Sequence, residues 1–127
     1  YSCDALKKIS IPNSMESIGK SAFHACYSLT QVNIPNSITS IEEGVFMSCK
    51  GLKEITIPES VLSIGSYAFY NSGLSTLYMK AQTPPSIDVT KRSIPINVDA
   101  IYVPKGRSEI YKVEWYEYAD KIQEYNF

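Results

Sequence analysis

The run LTQVNIPNSITSIEEGVFMSC, residues 29–49, decides the fold, because it returns almost position for position 23 residues away on either side. Upstream, LKKISIPNSMESIGKSAFHAC occupies residues 6–26, and downstream LKEITIPESVLSIGSYAF occupies residues 52–69. Leu6, Leu29 and Leu52 align, as do Ile9, Val32 and Ile55, then Pro12, Pro35 and Pro58, then Phe23, Phe46 and Phe69. Cys3, Cys26 and Cys49 keep the same step. A period in the twenties marks stacked supersecondary units, each unable to bury its apolar side alone.

Within a unit, Ile55 and Ile57 alternate with Glu54 and Thr56, which is the period of a short strand. The proline that follows has no N–H to extend a ladder, so Pro12, Pro35 and Pro58 are where the chain leaves the sheet. The next segment, such as residues 37–46, predicts a loop leading into a short helical or 3₁₀ turn. Successive strands then lie parallel, about 4.8 Å apart. Burying one Ile, Leu or Phe contributes roughly 1.5 to 3 kcal/mol, whereas ordering each backbone residue costs about 1 to 2 kcal/mol. A lone unit therefore breaks even at best, and stacking that aligns Phe23, Phe46 and Phe69 in one column makes the array stable as a nearest-neighbour sum.

The pattern loosens after Gly73. Leu74, Leu77 and Met79 run one residue short of register, and Asn71 is read as taking the place of the cysteine. Residues 80–97, with Thr83, Pro84, Pro85 and Ser86, have no clear repeat counterpart. The strand pattern is restored by Ile101 and Val103, and Pro104 follows Pro58 by 46 residues, two periods. From Arg107, Ile110, Tyr111, Trp115, Tyr118, Ala119 and Ile122 recur near helical spacing, as a lid over the open end of the stack would require. The expected organisation is a repeat array over residues 1–106 and a helical cap over 107–127. Tyr1 enters in mid-repeat, which predicts earlier repeats and any export signal upstream.

The chain has 127 residues, a formal charge of -1 and no run of like charges, so nucleic acid is not an expected partner. No run of about 20 apolar residues is present to span a bilayer.

On these residues the chain resembles the BspA-like, or Treponema pallidum-type, leucine-rich repeats of bacterial and protozoan surface proteins, a likeness covering residues 3–79. Residues 101–106, with Tyr111, Lys112 and Trp115, are similar to the C-terminal end of such proteins from gut Bacteroides-type bacteria. The resemblance implies an α/β solenoid: a right-handed leucine-rich-repeat coil with a parallel β-sheet, short helical or 3₁₀ turns, about four to five coils and a C-terminal capping helix. It also implies an exported or surface-attached protein, in a family some of whose members bind host matrix proteins or other bacterial cells. Fold travels with such repeats more safely than ligand does.

Residue types that could carry chemistry have plainer readings. The three cysteines point the same way into the array and lack the short spacing of thiolate metal sites, so they read as buried structural thiols. His24 is the sole histidine, beside Phe23 on the outer side of a turn, with no triad to join. Gly19 and Gly65 share a place with Glu42, which reads as glycine preferred and not required. Glu42 and Glu43 are the only paired carboxylates and would splay apart. No phosphate-cradling glycine motif occurs. No catalytic residue, metal or cofactor is expected.

What remains is the outward face of the strands, where packing leaves residues free to recognise a partner. One column reads Lys8, Gln31, Glu54, Thr76 and Ala100, and the next Ser10, Asn33, Thr56, Tyr78 and Tyr102. Tyr78 and Tyr102 should stack, and tyrosine supplies large amphipathic contact area at low entropic cost. Cross-strand aromatic pairs also stabilise sheets. Tyr1, Tyr102, Tyr111, Tyr116, Tyr118 and Tyr125 cluster at the cap or the chain start, and part of that set must pack the lid. The expected function is a non-catalytic protein-binding or adhesion module with the strand face as its platform, its partner a host matrix or cell-surface glycoprotein or another bacterial surface protein. A structural spacer or oligomerisation segment, self-associating end to end through the uncapped first repeat, is the alternative. Glycan binding ranks below both.

Overall fold

The computed structural model describes residues 3–127, so Tyr1 lies outside the described residues. Each unit contributes one short strand to the main side of the stack: β1 (Lys8–Ser10) and β3 (Gln31–Asn33), which pair in parallel, and β5 (Glu54–Ile57), which opens a separate sheet, while β2 and β4 belong to a second ladder. That second ladder comprises β2 (Ser17–Ile18), β4 (Ser40–Ile41) and β6 (Ser63–Ile64), paired in parallel with Ser17, Ser40 and Ser63 in line. On the main side the stack continues through β7 (Thr76–Met79) and β8 (Ala100–Pro104). The chain is therefore a solenoid of parallel strands.

The segment after the second ladder forms turns of 3₁₀ type, not a continuous helix. Ala22, His24 and Cys26 donate their N–H groups to the carbonyls of Gly19, Ser21 and Phe23, each three residues back. The intervening Ser21, Phe23 and Ala25 donate instead to Glu43, Val45 and Met47 of the next coil. This alternation needs left-handed backbone twice per coil: φ is +58° at Ser21, +66° at Gly44 and +58° at Tyr67, then +60° at Ala25, +63° at Ser48 and +57° at Asn71. Five of those six residues carry a Cβ, so the cross-coil hydrogen bonds hold them in a conformation they would not choose alone.

Two local expectations are corrected by this geometry. Asn71 does not occupy the cysteine corner: it takes the left-handed place of Ala25 and Ser48, and Ser72 donates to Phe69 as Cys49 donates to Phe46. The residue missing from the fourth unit is lost between Ser72 and Leu74, drawing Gly73 so close that an added Cβ would lie 2.1 Å from the Lys50 carbonyl oxygen. Gly65 is likewise required in its coil, because a Cβ there would meet Glu42 C and Glu43 N at 2.7 Å, whereas nothing lies within 4 Å at Gly19.

Residues 80–97 complete a coil without the repeat's side-chain pattern. Ser86 bridges to Ser63 on the second ladder, and Lys91 and Ser93 accept from the N–H groups of Tyr67 and Phe69 on the turn side. Ser93 is fully buried yet satisfied, accepting from the Asp88 N–H and donating to the Ile64 carbonyl.

The cap is helical in two pieces, α1 (Ser108–Glu114) and a 3₁₀ helix (Tyr116–Lys121), after which the chain turns to strand. Residues 122–125, expected as helix, form β9 (Ile122–Tyr125), which adds a last parallel strand beside β8. Three buried aromatic side chains pin the lid to residues 80–97. Tyr111 Oη donates to the Ala81 carbonyl at 2.8 Å, Trp115 Nε1 to Pro85 at 2.9 Å, and Tyr118 Oη to Ile94.

The core is one file of apolar side chains along the stack. Phe23 and Phe46 stack at 5.8 Å between centroids, and Phe46 and Phe69 at 5.4 Å. Cys26 and Cys49 are fully buried, while Cys3 is half-buried at the open first coil. Burial pushes the Cys26 thiol up to about 12 and the Cys49 thiol up to about 11.

Candidate binding face

The strand registers align the outward residues within two separate ladders, and no pairing carries the columns from Gln31 to Glu54 or from Asn33 to Thr56. Lys8 pairs with Gln31 and Ser10 with Asn33, and Glu54 pairs with Thr76 and Thr56 with Tyr78. Thr76 in turn faces Ala100, and Tyr78 faces Tyr102. Lys8, Ser10, Gln31, Asn33, Glu54 and Thr56 are exposed, and Thr76, Tyr78 and Tyr102 are half-buried. These nine residues divide into two neighbourhoods.

The first is aromatic. Tyr78 and Tyr102 stack with centroids 5.2 Å apart and planes within 19°. Sequence reasoning missed its other half: β9 brings Tyr125 to 5.4 Å from both rings, and Phe127 lies 4.8 Å from Tyr125 and 6.4 Å from Tyr78. Tyr125 is 43% exposed and Phe127 48%. No alternation in the sequence announces them: the apolar Ile122 and Tyr125 stand three residues apart, a helical spacing, with exposed Gln123 and Glu124 between. Burial raises the Tyr78 phenol, with the Glu54 carboxylate adding to the effect.

The second neighbourhood is a polar groove of about 790 Å³ over the first three main-side strands. Lys8, Gln31, Asn33, Glu54 and Thr56 line it, and Phe127 stands at its edge. Ser10, Thr76, Tyr78 and Tyr102 are not among its lining residues. Its size lies within the range of clefts that enclose small ligands, but its walls carry charged and amide side chains from separate strands in place of a converging catalytic set. Lys8 and Glu54 give it both signs of charge.

Residues that could carry other chemistry stay apart from this face. His24 sits half-buried in the first turn, and Glu43 pairs with Lys20 at 2.8 Å in an exposed ion pair. Asp88 is held below the usual carboxylate range by the Thr90 hydroxyl and the Lys91 N–H, and it organises the loop over residues 88–93. Among the described residues, no group of three or more His, Cys, Asp or Glu side chains could hold a metal ion. No described helix is long and apolar enough to cross a membrane.

Comparison with known proteins agrees with this architecture. The chain is similar to the solved structure of a leucine-rich cell-surface protein from Faecalibacterium prausnitzii A2-165, at 31% identity and a TM-score of 0.63, over 84% of this chain and 31% of that one. A leucine-rich repeat protein from Bacteroides ovatus ATCC 8483 aligns at 20% identity and a TM-score of 0.44, over 82% of this chain and 41% of its own. The chain thus spans less than half of either relative. No curated protein matches. Six copies of the BspA-type leucine-rich repeat match residues 1–88, and the chain belongs to the BspA-type leucine-rich repeat family.

Proposed function

We propose that this chain is a protein-binding module of a bacterial cell-surface protein, with the strand face as its recognition platform and adhesion to a host matrix, host glycoprotein or neighbouring bacterial surface as its role. The observation that carries the reading is the aromatic wall of half-buried Tyr78 and Tyr102 with exposed Tyr125 and Phe127, beside a groove of mixed charge. Aromatic residues beside a polar, solvent-accessible margin are the composition that distinguishes interface cores from ordinary surface. Likeness to the Faecalibacterium cell-surface protein supports the location. Repeats of this kind present extended surfaces through backbone geometry, which suits binding without catalysis.

The test is capture by the immobilised chain of host matrix proteins and of epithelial surface glycoproteins. Tyr78→Ala and Tyr102→Ala should weaken capture, and Tyr125→Ala should weaken it with least effect on folding because that ring is the more exposed. Unchanged capture by all three variants removes the aromatic wall from the reading. A concentration-dependent dimer that dissolves when upstream repeats are added would favour the spacer or oligomerisation alternative instead.

A further inference from the structure

Phe127 lies out of line with its own strand. β9 ends at Tyr125, opposite Pro104 of β8, yet the Phe127 ring is 6.4 Å from that of Tyr78, which belongs to β7 on the far side of β8. The ring is also 4.8 Å from Tyr125 and borders the polar groove with Pro104, Lys80 and Gln82. After β9 the chain therefore bends back across the sheet toward the earlier coils.

No polar contact holds that bend. Among the described residues no hydrogen bond or ion pair reaches Asn126 or Phe127, and both are exposed. Tyr111, Trp115 and Tyr118 of the cap differ, since each is buried and tied by a hydrogen bond. Tyr78 and Tyr102 differ too, because strand pairing sets them side by side with planes at 19°. Phe127 meets Tyr78 at 80° and Tyr125 at 58°, edge-to-face and tilted arrangements that rings prefer to full overlap and that an aliphatic chain does not reproduce. The wall is thus built by β7, β8 and β9, and Phe127 is a ring seated on it from beyond the sheet.

We infer that the end of the groove where Phe127 rests is a subsite for an aromatic side chain of the protein partner, and that Phe127 fills it until the partner's ring takes its place. The structure shows the subsite with such a ring already in it. The strongest contacts of protein interfaces are aromatic anchors seated inside a polar margin, and Lys80 and Gln82 supply that margin here. A ring contact of this kind favours the seated state by about 2- to 12-fold, so emptying the subsite should tighten partner binding by a comparable factor. The inference rests on the protein-binding reading and names the chemical group that the partner contributes.

NMR titration of the full chain tests it, with N-acetylphenylalanine amide as the probe and the tyrosine ring signals as the readout. Phe127→Ala alters an exposed residue outside every strand and helix, so the fold is kept. In that variant the probe should shift the Tyr78 and Tyr125 rings, and N-acetylleucine amide should shift them less. In the parent, where Phe127 holds the place, the same probe should shift them less than in the variant. Unmoved rings in the variant, equal shifts by the two probes, or equal shifts in parent and variant overturn the inference. The variant should also capture host matrix proteins about 2- to 12-fold more tightly, and unchanged or weaker capture overturns the inference as well. The titration needs no host protein, so a parent and variant that both capture nothing would count against the protein-binding reading while the ring shifts still decide the subsite.

Discussion

The rings of Phe46 and Phe69 lie 5.4 Å apart and within 14° of parallel, although 23 residues separate them in the chain. Both rings are fully buried, and Phe46 also stacks on Phe23 of the preceding coil. Phe46→Ala should cost about 3 to 5 kcal/mol, as large-to-small changes in packed cores do. Phe23→Ala should cost less, because Phe23 is half-buried at the open first coil. Urea unfolding of the two variants beside the parent checks the order.

Two glycines in the same repeat position should answer differently to the same change. Gly65→Ala forces a methyl into the Glu42–Glu43 backbone at 2.7 Å, and overpacking of that kind costs about 1 to 3 kcal/mol. Gly19→Ala meets nothing within 4 Å and should leave the unfolding midpoint close to that of the parent. Equal effects at the two sites would contradict the close approach of the second and third coils.

Tyr118→Phe removes the donor to a buried Ile94 carbonyl and leaves that oxygen without its partner. A loss of about 1 to 3 kcal/mol is expected. Because Tyr111 and Trp115 anchor the same lid to Ala81 and Pro85, the variant should also speed amide exchange across residues 80–97. Exchange confined to the helix itself would show that the lid does not hold that coil.

The thiols set an alkaline limit. Cys26 and Cys49 are neutral when protonated, and burial raises them from the ordinary 9.0 to about 12 and about 11. Their contribution to stability is therefore complete below pH 9 and is lost as pH climbs toward 11 and 12. Burial of Tyr111 acts in the same direction. Urea midpoints should fall across that window, and Cys26→Ala with Cys49→Ala should make the fall shallower. Iodoacetamide at neutral pH should label Cys3 well before the other two, with all three reacting after denaturation.

The coil is legible in the sequence wherever an apolar side chain repeats with it. Leu29, Phe46 and Cys49 announce their places because each has a counterpart in the core, and the Tyr78–Tyr102 stack follows from strand register alone. Residues 80–97 escape notice because their links to the preceding coil run through backbone groups of Ser86, Lys91 and Ser93, which any residue could supply. The second ladder is only two residues wide per coil, too short for a period to register. β9 is disguised because Tyr118 and Ile122, one helical turn apart, read as the face of a continuing helix. Asn71 misleads because one deleted residue can be placed on either side of Ser72 by spacing, and only the left-handed backbone at Asn71 settles which. The break between β3 and β5 leaves no trace in residue type at all, since it concerns main-chain groups.

A stack of coils transmits tension through whatever stitches one layer to the next. The first and second coils are stitched along three seams, as are the third and fourth, but the second and third are held by two, with the main-side strands unpaired between them. Under load along the axis, that junction opens before its three-seamed neighbours on either side. The place where the stack yields is thus set by its backbone and not by its side chains.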